Sequence, residues 1–127
     1  MTTPSDPITT YGFTAVPASA SALLFSTPSP STPAPPLPTT TTPTPTTLLA
    51  QRIQAYAKTH LPPPTFNHSM RVYHYGLAIK RYRFPTWTFD DETYFLSCML
   101  HDIGTTEENL LKTRMSFELF GGLVALD

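Results

Sequence analysis

The spacing of apolar and polar residues separates two parts of this chain. From Leu48 onward, apolar side chains recur three and four positions apart, which is the pattern of α-helices that bury one face. Residues 26–46 show no such periodicity. The pattern therefore predicts an all-α fold, a helical bundle, whose core is built from residues 47–127.

Residue types that commonly begin or end helices set the bounds of the first two helices. The first is predicted to begin after Thr47, as its N-cap, and to end before Pro62. The second follows three consecutive prolines, with Thr65 or Asn67 as its cap, and ends by Pro85 because proline disfavours helix at the preceding residue.

Two more helices are predicted in the last forty residues. The third begins at Thr88 or Asp90 and stops near Gly104. The fourth begins around residues 115–116 and carries apolar side chains to the end of the chain. No Gly or Pro stop signal stands at Asp127, so we expect the sequence to hold only the first part of a larger helical domain.

The N-terminal part has a different character. Residues 1–25 combine Thr and Ser with a short apolar strip at 11–17. We expect an N-terminal strap, extended along this strip and then forming a helical turn capped by Ser19 or Ser21. Residues 26–46 consist almost entirely of Ser, Thr, Pro and Ala. Because such a segment has no apolar face to offset the entropy of ordering, we predict a disordered spacer with few contacts to the domain.

Charge and cysteine content narrow the classes of partner. All eight basic side chains and eight of the nine acids follow residue 50, so nucleic acid, which usually requires a clustered basic face, is not an expected partner. No apolar run approaches the ~20 residues of a membrane span. Cys98 is the only cysteine, which excludes an intrachain disulfide. We expect a cytoplasmic protein that has no membrane partner.

The candidate chemistry lies at the predicted helix ends. His101 and Asp102 are adjacent where the third helix turns at Gly104, and His68 falls in the first turn of the second helix. Antiparallel packing of the two helices would bring these three side chains together around one divalent ion, for which imidazole and carboxylate suit Zn, Fe or Mn. A His-Asp pair alone is more often structural than a ligand pair.

The residues around these positions resemble a known family. The resemblance is carried by residues 67–72 (NHSMRV), 100–106 (LHDIGTT), 114–118 (RMSFE) with 121–122 (GG), and 12–17 (GFTAVP). This order and spacing is similar to the cyanamide hydratase branch of the HD-domain superfamily, as found in fungi. The resemblance implies an HD-type helical bundle in which His68, His101 and Asp102 bind a divalent metal, with zinc as first candidate and iron as second. It also implies a further Asp ligand on a later helix, beyond Asp127.

The same resemblance implies a small-molecule substrate and a lyase reaction. A metal-bound hydroxide would attack the nitrile carbon of cyanamide, and protonation of nitrogen would give urea. Arg71 lies three residues after His68, on nearly the same helix face, and is a candidate for orienting a ligand or the substrate. Thr105 is a candidate hydrogen-bond donor to substrate. The ordinary alternatives are an ion pair of Arg71 with Glu118 or another carboxylate, and a turn hydrogen bond for Thr105.

Two other functions are compatible with these residues. Metal-bound hydroxide could instead attack phosphorus, as in HD-type phosphohydrolases, although Arg71, Lys112 and Arg114 are the few basic side chains near the motifs. The chain could also be a non-catalytic helical protein whose exposed apolar helices pair with another copy as a homo-oligomer. For the 127 residues as they stand, we expect hydratase activity to be impaired because a metal-binding carboxylate is missing.

Overall fold

The computed structural model describes residues 6–12, 18–26 and 31–126. These ranges form seven α-helices: α1 Pro7–Tyr11, α2 Ala20–Ser26, α3 Leu48–His60, α4 Pro63–Arg83, α5 Asp91–Leu100, α6 Glu107–Lys112 and α7 Phe117–Val124. Two 3-10 turns, Thr39–Thr41 and Ile103–Thr105, lie between them. The prediction of an all-α bundle is confirmed. No helix in the described ranges combines the length and apolar character needed to cross a membrane.

Side-chain caps begin the helices that lead to the candidate site. Thr47 Oγ1 accepts a hydrogen bond from the Ala50 amide at 3.1 Å, and Asp90 Oδ1 accepts one from the Thr93 amide at 2.7 Å. Both caps satisfy amides that have no partner inside their helix. The predicted starts of α3 and α5 are therefore confirmed, and α7 follows Ser116 as expected.

The predicted start of the second helix is wrong. Helix α4 begins at Pro63, ahead of Thr65 and Asn67, and Pro62 is its N-cap residue. Proline is well suited to a first turn, because its fixed φ is already helical and the amide hydrogen it lacks would have had no partner there. His68 therefore lies in the second turn of α4. Helix α5 ends at Leu100, and Gly104, near which its end was predicted, lies in the 3-10 turn that follows.

Helices α3, α4 and α5 enclose the core, in which Tyr73, Phe95 and Met99 have no exposed surface. The rings of Tyr73 and Phe95 meet edge to face at 5.0 Å between centroids. Gly76 lets α5 approach α4 closely, because a Cβ there would lie 1.7 Å from the Tyr94 hydroxyl oxygen. These contacts fix the spacing of the two helices that carry the candidate ligands.

The 3-10 turn after α5 packs directly on the backbone of α7. A Cβ added to Gly104 would lie 2.1 Å from the Phe117 carbonyl oxygen, and one added to Gly121 would lie 3.1 Å from the Gly104 nitrogen. Asn109 supports the turn from the other side, where its buried amide donates to the Ile103 carbonyl at 2.8 Å. The turn that follows Asp102 is thus held by backbone contacts and one side-chain hydrogen bond.

The N-terminal helices are short and side-chain capped. Ser19 Oγ accepts from the Ala22 amide at 3.2 Å, so the predicted cap of the helical turn is confirmed. The Gly12 carbonyl accepts from the Asp90 amide at 2.6 Å, which joins the end of α1 to the start of α5. The predicted extended strip lies largely outside the described residues, since these omit 13–17.

The end of the predicted spacer contacts the helical domain. Thr42 is 2% exposed, and its Oγ1 shares a 2.8 Å hydrogen bond with His74 Nδ1. The Tyr73 hydroxyl donates to the Pro43 carbonyl at 2.8 Å. The expectation of few contacts does not hold for these residues, because α4 supplies hydrogen-bond partners to a segment that makes few of its own. The boundaries at residues 25 and 46 stay predictions.

Candidate metal centre

The structure brings together the three side chains predicted to bind metal. His68 Nε2 lies 3.4 Å from His101 Nε2 and 3.8 Å from Asp102 Oδ2. His101 Nε2 lies 3.1 Å from the same Asp102 oxygen. Helix α4 contributes the first imidazole, and the exit of α5 contributes the other two groups. Packing of α4 against α5 therefore creates the cluster.

A backbone hydrogen bond fixes the orientation of His101. Its Nδ1 lies 2.8 Å from the Cys98 carbonyl oxygen. A carbonyl oxygen only accepts, so Nδ1 carries the hydrogen and Nε2 presents a lone pair to His68 and Asp102. This is the arrangement in which histidine ligands of metals are usually held, with the second ring nitrogen donating to a carbonyl or carboxylate. The carbonyl is available because it lies in the last turn of α5, where the helix has no further amide to donate to it.

The chemistry of these donors fits a divalent cation. One ligand atom from each of the three side chains lies within 4.8 Å of the others. First-row ions bind imidazole nitrogen and carboxylate oxygen at about 2.0–2.2 Å, which this spacing allows. Binding of metal by these residues remains a prediction, and their convergence supports it.

The cluster opens onto a cleft of about 790 Å³ between α3, α5 and α7. His101 and Asp102 form its polar end, with side chains 37% and 19% exposed, and Leu49, Ile53 and Leu96 are among its apolar walls. Among the described lining residues there is no Lys or Arg, and Glu118 is the one further charged side chain. The described lining of the cleft therefore offers no basic side chain to an anionic molecule.

The structure places the two predicted catalytic residues less favourably. Arg71 is exposed, and within the described ranges it does not form the alternative ion pair with Glu118. The Thr105 hydroxyl donates to the Asp102 carbonyl at 2.7 Å, which is the turn-type hydrogen bond considered as its alternative. Contact of either side chain with substrate stays a prediction.

Sequence reasoning missed two groups that shape the centre. The Cys98 carbonyl orients His101, and Asn109 holds the turn through the Ile103 carbonyl. The Cys98 thiol itself is buried in the core. A main-chain acceptor leaves no signal in the pattern of side chains. Asn109 lies three residues after Thr106, the N-cap of α6, and its position close to the His101-Asp102 motif was a signal that sequence reasoning could have used.

The fold and the cluster together define a helical protein with a candidate site for a divalent metal, built from two histidines and one aspartate. No family model matches the chain. Two cyanamide hydratases of Saccharomyces cerevisiae, DDI2 and DDI3, are each 45% identical to it over 76 residues. Each match covers 60% of this chain and 34% of the relative, so the chain spans about a third of the length of these curated relatives. The resemblance found in the sequence motifs is confirmed as similarity to these two proteins.

Proposed function

We propose that this chain provides the metal-binding part of a cyanamide hydratase, a lyase that adds water to cyanamide and forms urea. The convergence of His68, His101 and Asp102 beside a cleft whose described lining has no Lys or Arg is the observation that carries the proposal. Similarity to two proteins named cyanamide hydratase supports this choice among reactions that a metal site of this kind serves. Zinc is the metal that we propose first and iron second.

A divalent ion held by these residues would act as a Lewis acid and lower the pKa of a bound water towards ~7. The chain's own groups have separate tasks. His68 and His101 present neutral nitrogen donors, and the hydrogen bond to the Cys98 carbonyl keeps the His101 ring in the required tautomer. The Asp102 carboxylate, whose Oδ2 lies 3.1 Å from His101 Nε2, would offset the charge of the cation and would accept a proton from water. The oxygen of water adds to the nitrile carbon, and its two hydrogens end on nitrogen, so that urea is the single product.

The cleft favours this reaction over phosphoester hydrolysis. Phosphate recognition usually recruits Arg or Lys, which bind phosphate oxygens through charge-assisted hydrogen bonds. The described lining of the cleft offers neither, and the carboxylate of Glu118 would repel an anion. Cyanamide carries no charge and needs no such clamp.

Binding of substrate can be tested apart from turnover by loading the purified chain with Co²⁺, whose visible spectrum reports changes in coordination. Cyanamide should shift the spectrum of the loaded chain, whereas a nucleoside monophosphate should not. His101→Ala should abolish the signal, and His60→Ala, an exposed histidine at the end of α3, should keep it. A shift with the nucleotide and none with cyanamide would replace the proposed reaction with phosphoester hydrolysis.

A further inference from the structure

The proline-rich segment, residues 31–45, has the chemistry of an extended ligand. Prolines occupy four of the six positions 33–38, where they fix φ near −65°. Pro38 has φ −61° and ψ 144°, which is the polyproline II region. A polyproline II helix makes no internal hydrogen bonds, so the carbonyl groups ahead of the Thr39–Thr41 turn can accept from another surface. The Pro38 and Thr39 carbonyls accept from the Thr41 and Thr42 amides within the turn.

Helix α4 supplies donors to this segment along one side of the helix, from the buried Tyr73 to the exposed Arg81. Three α4 side chains donate to main-chain carbonyls of the segment: Tyr73 to Pro43 at 2.8 Å, Arg81 to Thr41, and Tyr82 to Thr32. These bonds reach from one end of the segment to the other and span ten residues of α4. The Thr41 acceptor lies in the 3-10 turn, and the Thr32 and Pro43 acceptors lie on either side of it. Because all three acceptors are main-chain atoms, the contact depends on the path of the backbone more than on particular side chains.

An apolar groove of about 380 Å³ lies between the segment and the same helix. Ala34, Pro35 and Leu37 line one side of it. Tyr75 and Tyr82 are among the α4 residues on the other side. Tyr75 is 64% exposed and Leu37 is 42% exposed, so the groove is open to solvent beside the segment.

We propose that this side of α4 is a binding surface for proline-rich segments, and that residues 31–45 occupy it in cis. Grooves lined by aromatic residues that accept a preformed polyproline II helix are a recurring mode of peptide recognition. Tyr82 combines both elements, since its ring lines the groove and its hydroxyl binds a carbonyl. The surface lies on the C-terminal half of the helix that carries His68, and it does not depend on the proposed reaction.

Occupancy in cis can be measured by nuclear Overhauser contacts in the 127-residue chain labelled with ¹³C and ¹⁵N. Cross-peaks should join the rings of Tyr75 and Tyr82 to Pro35 and Leu37. The double variant Arg81→Ala/Tyr82→Phe should weaken the Tyr75 cross-peaks at least about threefold, since it removes two of the three carbonyl donors. Cross-peaks inside the core must persist, which separates release of the segment from unfolding. Absence of the groove cross-peaks in the unmodified chain would overturn the proposal.

A peptide with the sequence of residues 31–45 tests the surface in trans. A short tether gives the cis segment an effective concentration in the ~mM range, so the peptide should bind the unmodified chain only weakly. In Pro35→Gly/Pro36→Gly the cis segment loses its preformed conformation, and the peptide should bind at least about tenfold more tightly. Tyr56→Phe, on α3, should behave like the unmodified chain. Equal affinity for the unmodified and Gly-substituted chains, or equal binding of a peptide with alanine at its prolines, would contradict the assignment.

Discussion

Replacing Gly104 by alanine should destabilise the fold, although the added group is a single methyl. The new Cβ would lie 2.1 Å from the Phe117 carbonyl oxygen and 2.9 Å from the carbonyl carbon. Non-bonded atoms rest at about 3.5 Å or more, so the turn and α7 would have to separate by more than about 1 Å. Both partners are backbone atoms, and no change of rotamer relieves the contact.

Overpacking of this kind costs about 1–3 kcal/mol, and we expect the upper part of that range because two secondary-structure elements must move. Gly122, in the middle of α7, is a matched control, since a Cβ there has no atom within 4 Å. Gly122→Ala should stabilise by roughly 0.5–1 kcal/mol through helix propensity and reduced freedom of the unfolded chain. Two identical substitutions, 18 positions apart, should therefore have effects of opposite sign.

Urea denaturation followed by far-ultraviolet circular dichroism measures both free energies of unfolding. The two variants should differ by about 2–4 kcal/mol, with Gly104→Ala below the unmodified chain and Gly122→Ala above it. Gly104→Ala should also weaken divalent-metal binding, because Asp102 directly precedes the displaced turn as its N-cap residue. Equal stability of the two variants would refute the close contact between the turn and α7.

Three further outcomes are expected. Ser69→Ala should raise the free energy of unfolding by about 1 kcal/mol in urea denaturation, because Ser69 Oγ is buried with no hydrogen-bond partner in the described part of the chain; a loss of stability would reveal a partner. Burial raises the pKa of the Cys98 thiol and of the Tyr94 hydroxyl, so these groups ionise at lower pH in the unfolded chain than in the folded one. Their contribution to the free energy of unfolding should therefore be fully present below about pH 8. It should fall as the pH rises beyond the unfolded pKa values of about 8.5 and 10. Unfolding free energies that rise above that pH would contradict this sign. Urea formation by the 127-residue chain should be slow despite metal loading, because the His68 side chain is 50% exposed and the cleft is open; a colorimetric urea assay showing efficient turnover would contradict this.

Local signals predicted the parts of the fold that local chemistry determines. Thr47, Asp90 and Ser116 stand at the starts of three helices, because a side-chain cap or an N-terminal boundary depends on a few neighbouring residues. The start of α4 was missed, since Pro62 and its neighbours were interpreted as a break between helices. Proline can end one helix and can also stand in the first turn of the next, and the outcome depends on whether the residues that follow it continue the helix.

The site was predictable where sequence position determines geometry. His101 and Asp102 follow a helix end, and packing of α4 against α5 brings His68 to them. The direction of the Thr105 hydroxyl was not predictable, because substrate and the Asp102 carbonyl are equally suitable acceptors until the turn is built. Docking of the proline-rich segment was missed for a similar reason, since its hydrogen bonds come from residues at least 30 positions away.

The central claim is that His68, His101 and Asp102 bind one divalent ion. Isothermal titration calorimetry of the purified chain with Zn²⁺, after chelator treatment, tests it directly. One ion should bind per chain. Loss of a residue that only hydrogen-bonds to a metal ligand typically weakens metal binding by roughly 10- to 100-fold. Alanine at any of the three ligand positions should therefore weaken binding by at least that much. His60→Ala should bind as the unmodified chain does. Unchanged affinity in His101→Ala, or in the triple alanine variant, would contradict the account.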